Sequence, residues 1–113
     1  MDCIFCKIAA GEIPAKKLYE TGEVLAFADI APAAPFHAVV IPKAHIAASA
    51  EEITPENSGT IAKIFEAIAI VAQENKLGGG YRIINNCGAD AGQTVGHIHF
   101  HVLGGKPLGK MCE

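Results

Sequence analysis

At 113 residues the chain has the length of one domain and can bury a core of its own. Half of its residues are apolar and 19% are charged, which excludes general disorder. Twelve acidic residues against 9 basic ones, a net charge of −3 with Arg82 as the sole arginine, argue against a protein built to grip nucleic acid. Met1-Asp2-Cys3 has no basic lead into an apolar core, and Ile61 to Ala72 is interrupted by Lys63 and Glu66. Neither a signal peptide nor a membrane span is expected, and a cytoplasmic location follows.

Phe5 to Ala10 reads as a short helix closed by Gly11. Three apolar runs follow, Lys17–Glu20, Val24–Ile30 and His37–Pro42, with Thr21-Gly22 suited to a hairpin between the first two. The proline-rich Ala31 to Pro35 suits neither helix nor central strand. Ser49 to Glu52 has capping-box spacing and predicts one helical turn. Thr54-Pro55 predicts the start of the one long helix, with threonine as N-cap. Ile61, Ile64, Phe65, Ile68, Val71 and Ala72 give it a single buried stripe, and Gly78-Gly79-Gly80 ends it. Two further strands, Tyr81–Asn86 and His97–Leu103, flank a glycine-rich loop. No linker divides the chain, so residues 1–113 are expected to form a single α+β domain with a mostly antiparallel sheet.

The last strand reads His97-Ile98-His99-Phe100-His101-Val102-Leu103. Side chains alternate along a strand, so His97, His99 and His101 share one face while Ile98, Phe100 and Val102 share the other. The apolar face suits the long helix and leaves a row of imidazoles beside a polar surface. A bland alternative is an amphipathic strand whose outer residues happen to be histidine; a triplet at alternating sites speaks against it. The other two histidines, His37 and His45, bracket a single strand segment, which points to a shared site. Gln93 and Thr94, in the glycine-rich loop before the triplet, offer uncharged hydrogen-bonding groups to an anion. Cys3-Ile4-Phe5-Cys6 sets two thiols one helical turn apart. They read as half of a zinc site, a redox dithiol or two buried cysteines. Cys87 and Cys112 read as plain thiols.

The histidine strand resembles the signature of the histidine triad (HIT) superfamily. The resemblance extends over nearly the whole chain and is closest to the Hint-like nucleoside phosphoramidase branch. It is carried by Ile4-Phe5, Gly11 to Ala15, Phe27 to Ile30, Pro35-Phe36-His37, Ile41-Pro42-Lys43, Gly92 to Val95 and the triad strand running into Gly104-Gly105. It implies a five-stranded sheet with one long helix and a short N-terminal helix, and homodimers whose sheets join into a ten-stranded one.

The implied activity is hydrolysis of purine nucleoside 5′-phosphoramidates to nucleotide and amine through a nucleotidyl-histidine. His99 would be the nucleophile, His101 and His37 would contact the phosphoryl oxygens, and His97 would support the site. Asp29 would hold the ribose, Phe5, Ile8, Phe27 and Ile30 would line the base pocket, and Asn86, Gln93 and Thr94 would meet phosphate and leaving amine. No organic cofactor is implied. The Cys3-x-x-Cys6 pair resembles the zinc-binding bacterial subset, which implies structural zinc held by Cys3, Cys6, His45 and His97. Unlike animal members, the chain has Gly96 in place of a tyrosine and no tryptophan in Lys106 to Glu113. Three other functions compete: a non-catalytic nucleotide-binding or scaffold module, a dinucleoside polyphosphate hydrolase, and a redox protein working through Cys3 and Cys6.

Overall fold

Residues 3–111 are described by a computed structural model. The N-terminal reading at Met1-Asp2 and the plain-thiol reading of Cys112 lie outside them. Short helix α1 (Ile4–Ala9) is followed by strands β1 (Lys17–Glu20), β2 (Val24–Ala28) and β3 (Phe36–Pro42). A 3-10 turn (Ala50–Glu52) leads to the long helix α2 (Ser58–Glu74), then β4 (Tyr81–Ile84), a second 3-10 turn (Ala89–Ala91) and β5 (Phe100–Gly104). The strands form one five-stranded sheet in the order β1-β2-β3-β5-β4. Every pairing is antiparallel, so the last strand in sequence sits inside the sheet between β3 and β4.

The sheet is covered on both faces. Ile64, Ile68 and Val71 of α2 pack with Val24, Val40, Ile98 and Val102. At 0–1% exposure each of these side chains contributes about 1.5–3 kcal/mol of transfer free energy. On the other face, Phe5 and Ile8 of α1 meet Leu25, Phe27, Val39 and Ile41. Phe65, expected within the buried stripe, lies at its margin, 46% exposed, with its ring edge-on to Phe100.

Several boundaries differ from the sequence reading, each for a local reason. The triad strand begins at Phe100 rather than His97: the Ile98 N–H donates to the Ala47 carbonyl and the His99 carbonyl accepts from the Asn85 side chain instead of joining the ladder. β2 stops at Ala28, ahead of the Asp29–Pro35 turn, and β4 stops at Ile84 rather than Asn86. The long helix starts at Ser58: Thr54 caps a preliminary turn through its hydroxyl, and Asn57 closes that turn by accepting the Thr54 N–H at 2.7 Å. At Ser49 the turn forms without a reciprocal capping box, since Glu52 takes the Ala48 N–H and the Ser49 hydroxyl donates to Glu51.

Gly104 and Gly105 close β5 tightly. Gly105 has φ +94°, and a Cβ there would come within 3.0 Å of Pro35. Only glycine meets both demands without strain.

Candidate active site and metal centre

The alternation read from the sequence survives the shorter strand. Ile98, Phe100 and Val102 face α2, and the three triad imidazoles lie on the α1 side. They do not form an open polar row, however. His97 is fully buried and His99 is 4% exposed, because α1 folds over them. The Phe5 ring meets those of His97 and His99 edge to face, with centroids 5.9 and 5.0 Å apart.

Hydrogen bonds to the backbone fix where His37 and His99 carry their protons, since a carbonyl only accepts and an amide N–H only donates. His99 Nδ1 lies 2.9 Å from the His97 carbonyl oxygen, so it donates there and Nε2 keeps its lone pair. The Ala33 N–H donates to His37 Nδ1 at 3.0 Å, which places the His37 proton on Nε2. That N–H faces His101 Nδ1 at 2.9 Å and Asp29 Oδ2 at 3.3 Å. His101 Nδ1 therefore accepts, and its Nε2 carries a proton. The result is a lone pair on His99 beside an N–H donor on His101, with ring centroids 5.1 Å apart. Burial, reinforced by the neighbouring His99 and His37, pushes the His101 pKa down against the opposing pull of Asp29. The ring stays neutral near pH 7.

A second cluster lies behind the first. Cys3 is the N-cap of α1, its sulfur accepting the Cys6 N–H, which brings both thiols to one end of the helix. His97 Nε2 donates to the Pro42 carbonyl at 2.8 Å, leaving Nδ1 with a lone pair. That nitrogen lies 3.3 Å from Cys3 Sγ and 3.5 Å from Cys6 Sγ, while His45 Nδ1 lies 3.4 Å from Cys6 Sγ. All four donor atoms fall within 4.8 Å of one another. A zinc tetrahedron with ordinary Zn–S and Zn–N lengths has sulfur–nitrogen edges of about 3.6 Å. The donor set thus fits a closed tetrahedral metal site, and the Pro42 carbonyl is the kind of outer partner that fixes a ligating imidazole. Burial, despite the Pro42 bond, pushes the His97 pKa down, with His45 and His99 adding to the effect. This favours the neutral, ligating form. Burial and the neighbouring Cys3 thiol push the Cys6 thiol up, a cost that a cation between the sulfurs would relieve.

The remaining expected residues are placed unevenly. Phe5, Ile8 and Phe27 are buried together beside His99, whereas Ile30, beyond the end of β2, is fully exposed. Asp29 is partly buried at the same turn, its Oδ1 accepting the Ala31 N–H. Thr94 is exposed and Asn86 half-buried on the loop before the triad. Gln93 is already engaged: its Nε2 donates to the Ala48 and Val95 carbonyls and its Oε1 accepts the Gly88 N–H. These bonds brace the loop that carries it. Sequence reasoning overlooked Asn85, whose Nδ2 donates to the His99 carbonyl at 2.8 Å, and the Pro42 carbonyl. The adjacent Asn86 drew the attention, and no motif signals a carbonyl. A groove of about 610 Å³ lies elsewhere, at the Tyr81 end of β4 beside Lys76, Arg82 and Lys106, and holds none of the histidines.

The chain is similar to known proteins over most of its length. The family model described as HIT domain matches residues 10–108. Protein HitA of Neisseria gonorrhoeae is 43% identical over 91% of this chain and 95% of its own length. The adenosine 5′-monophosphoramidase of Schizosaccharomyces pombe is 43% identical over 91% of this chain and 74% of its own. Among solved structures, a histidine triad protein from Clostridium difficile superposes with TM-score 0.93 at 48% identity, covering 97% of this chain and 96% of that one.

Proposed function

Because the chain belongs to the HIT domain family, we propose that residues 1–113 form a single such domain that hydrolyses purine nucleoside 5′-phosphoramidates, releasing AMP and an amine from the adenosine form. The observation that carries this reading is the fixed proton arrangement, a His99 Nε2 lone pair beside a His101 Nε2–H. The fission-yeast relative named for this activity supports it.

In the proposed reaction His99 Nε2 attacks the α-phosphorus and the P–N bond breaks. The amine departs with a proton taken up from water, while the neutral His101 ring donates its Nε2–H as a hydrogen bond to a phosphoryl oxygen. Water then adds to the nucleotidyl-histidine, its proton passes to solvent, AMP leaves, and His99 returns to its neutral form. His37 keeps the His101 proton on the useful nitrogen, and neighbouring N–H groups steady charge on the phosphoryl oxygens. Asp29 would accept the ribose hydroxyls, with Phe5, Ile8, Phe27 and the open Ile30 beside the base. Asn86, Gln93 and Thr94, on the loop before the triad, would meet phosphate and leaving amine.

Cys3, Cys6, His45 and His97 would hold zinc. With every position taken by protein, the ion would supply structure rather than chemistry. The homodimer would form through β4, the edge that exposes Tyr81 and Ile83. The other edge, β1, is guarded by Lys17 and Glu20.

Incubation with a fluorogenic adenosine phosphoramidate should release AMP and free amine. Nucleotide binding without turnover would favour a binding module, and faster cleavage of a dinucleoside polyphosphate would favour that hydrolase branch. The redox alternative predicts that Cys6→Ser abolishes function while His99 is intact.

A further inference from the structure

β4 and β5 stay in register as far as Ile84 opposite His101, where β4 ends. His99 lies just outside this ladder, and its carbonyl is taken instead by a side chain, the Nδ2 of Asn85, at 2.8 Å. The other end of that amide is also occupied: Oδ1 accepts the Cys87 thiol at 3.1 Å.

The position of this bond gives it leverage. His97 to His99 behave as one short unit, because the His99 ring bonds back to the His97 carbonyl at 2.9 Å. Upstream, the unit is anchored by the His97 ring on the Pro42 carbonyl and by the Ile98 N–H on the Ala47 carbonyl at 2.9 Å. Downstream, before β5 begins at Phe100, the anchor is Asn85. Phe5 closes one side of the His99 ring but forms no directional bond with it.

We propose that Asn85 is a positioning residue: its carboxamide fixes the peptide between His99 and Phe100 and thereby aims the His99 Nε2 lone pair. This role rests on His99 being the nucleophile. An aiming error of about 1 Å costs on the order of 10²-fold in rate. The cost falls on the bond-forming step, since the Asn85 side chain hydrogen-bonds the His99 carbonyl and the Cys87 thiol, neither of which is assigned to ribose or base.

Three variants separate the two ends of the amide. Asn85→Asp keeps an acceptor toward Cys87 but loses the donor toward His99. Asn85→Leu removes both ends, and Cys87→Ala removes only the thiol contact. On an adenosine phosphoramidate, both Asn85 variants should lose about tenfold to a hundredfold in kcat, with KM and AMP affinity held within about threefold. Cys87→Ala should stay within about twofold of the unmodified protein. In imidazole-selective nitrogen NMR the His99 Nδ1–H signal should be sharp in the unmodified protein and in Cys87→Ala, and broadened in both Asn85 variants. An unchanged signal in the Asn85 variants, or an unchanged kcat, overturns the proposal; so does a loss shared equally between kcat and AMP affinity. If the unmodified protein turns over no phosphoramidate, the hydrolase reading falls separately, and the imidazole signal alone decides whether Asn85 holds His99.

Discussion

His97 serves two neighbours at once, its ring facing the thiols and its carbonyl fixing the proton of His99. This division leaves His99 free for bond formation. His99→Ala should lower turnover at least about a thousandfold while AMP affinity, measured by calorimetry, stays within about threefold. Retention of more than about a tenth of the rate would remove His99 from the nucleophile's place. His101 makes a prediction about acid. Its folded pKa lies below the ordinary value of about 6.5, so the unfolded chain takes up the proton first. Stability should therefore be level above about pH 7 and fall as pH drops through about 6.5 toward the lower folded value. Urea midpoints at pH 8, 7, 6 and 5 should show this decline, and His101→Gln should make it shallower, the remainder coming from His97, whose pKa burial also pushes down. A midpoint that rises toward pH 5, or an unchanged slope in the variant, would sink the argument.

At the scale of elements, α1 covers the buried histidines with Phe5 and presents both cysteines at its N-terminal end. Elemental analysis of protein purified without chelator should give about one zinc per chain. Cys3→Ser, or exhaustive chelation, should lower both zinc content and Tm. Less than about a tenth of an equivalent, with no uptake on titration, would return Cys3 and Cys6 to the status of ordinary thiols. The cluster's membership was legible in the sequence only through family resemblance, since spacing alone left the cysteine pair open among three readings. The two faces of the triad were legible directly, because alternation depends on extended backbone and survives the loss of ladder pairing at His97 and His99. Proton placement was not legible. It is set by the His97 and Pro42 carbonyls and the Ala33 N–H, and every residue carries such groups. The loop bonds of Gln93 were not legible either, since a residue type suited to phosphate gives no sign in sequence of which backbone groups it also meets.

For the molecule as a whole, the unpaired edge of β4 leads to a test of assembly. Ile83→Lys places a charge among the exposed Tyr81 and Ile83 side chains without entering the core. Light scattering should show a dimer for the unmodified protein and a monomer for the variant; two monomers, or two dimers of equal stability, would remove β4 from the interface. The place of β5 within the sheet has a further consequence, for the order in which the chain can fold. Residues 100–104 must insert between β3 and β4, so the sheet cannot close until every element from β1 to β5 is available. Such distant pairings slow folding, because the entropy of closing a long loop is lost before the contacts compensate. Cys3 and His97 stand 94 residues apart and meet only when β5 is in place. Capture of a metal by all four ligands would then be a late event in refolding, and the uptake of zinc from a chromophoric chelator would serve as a clock for completion of the sheet.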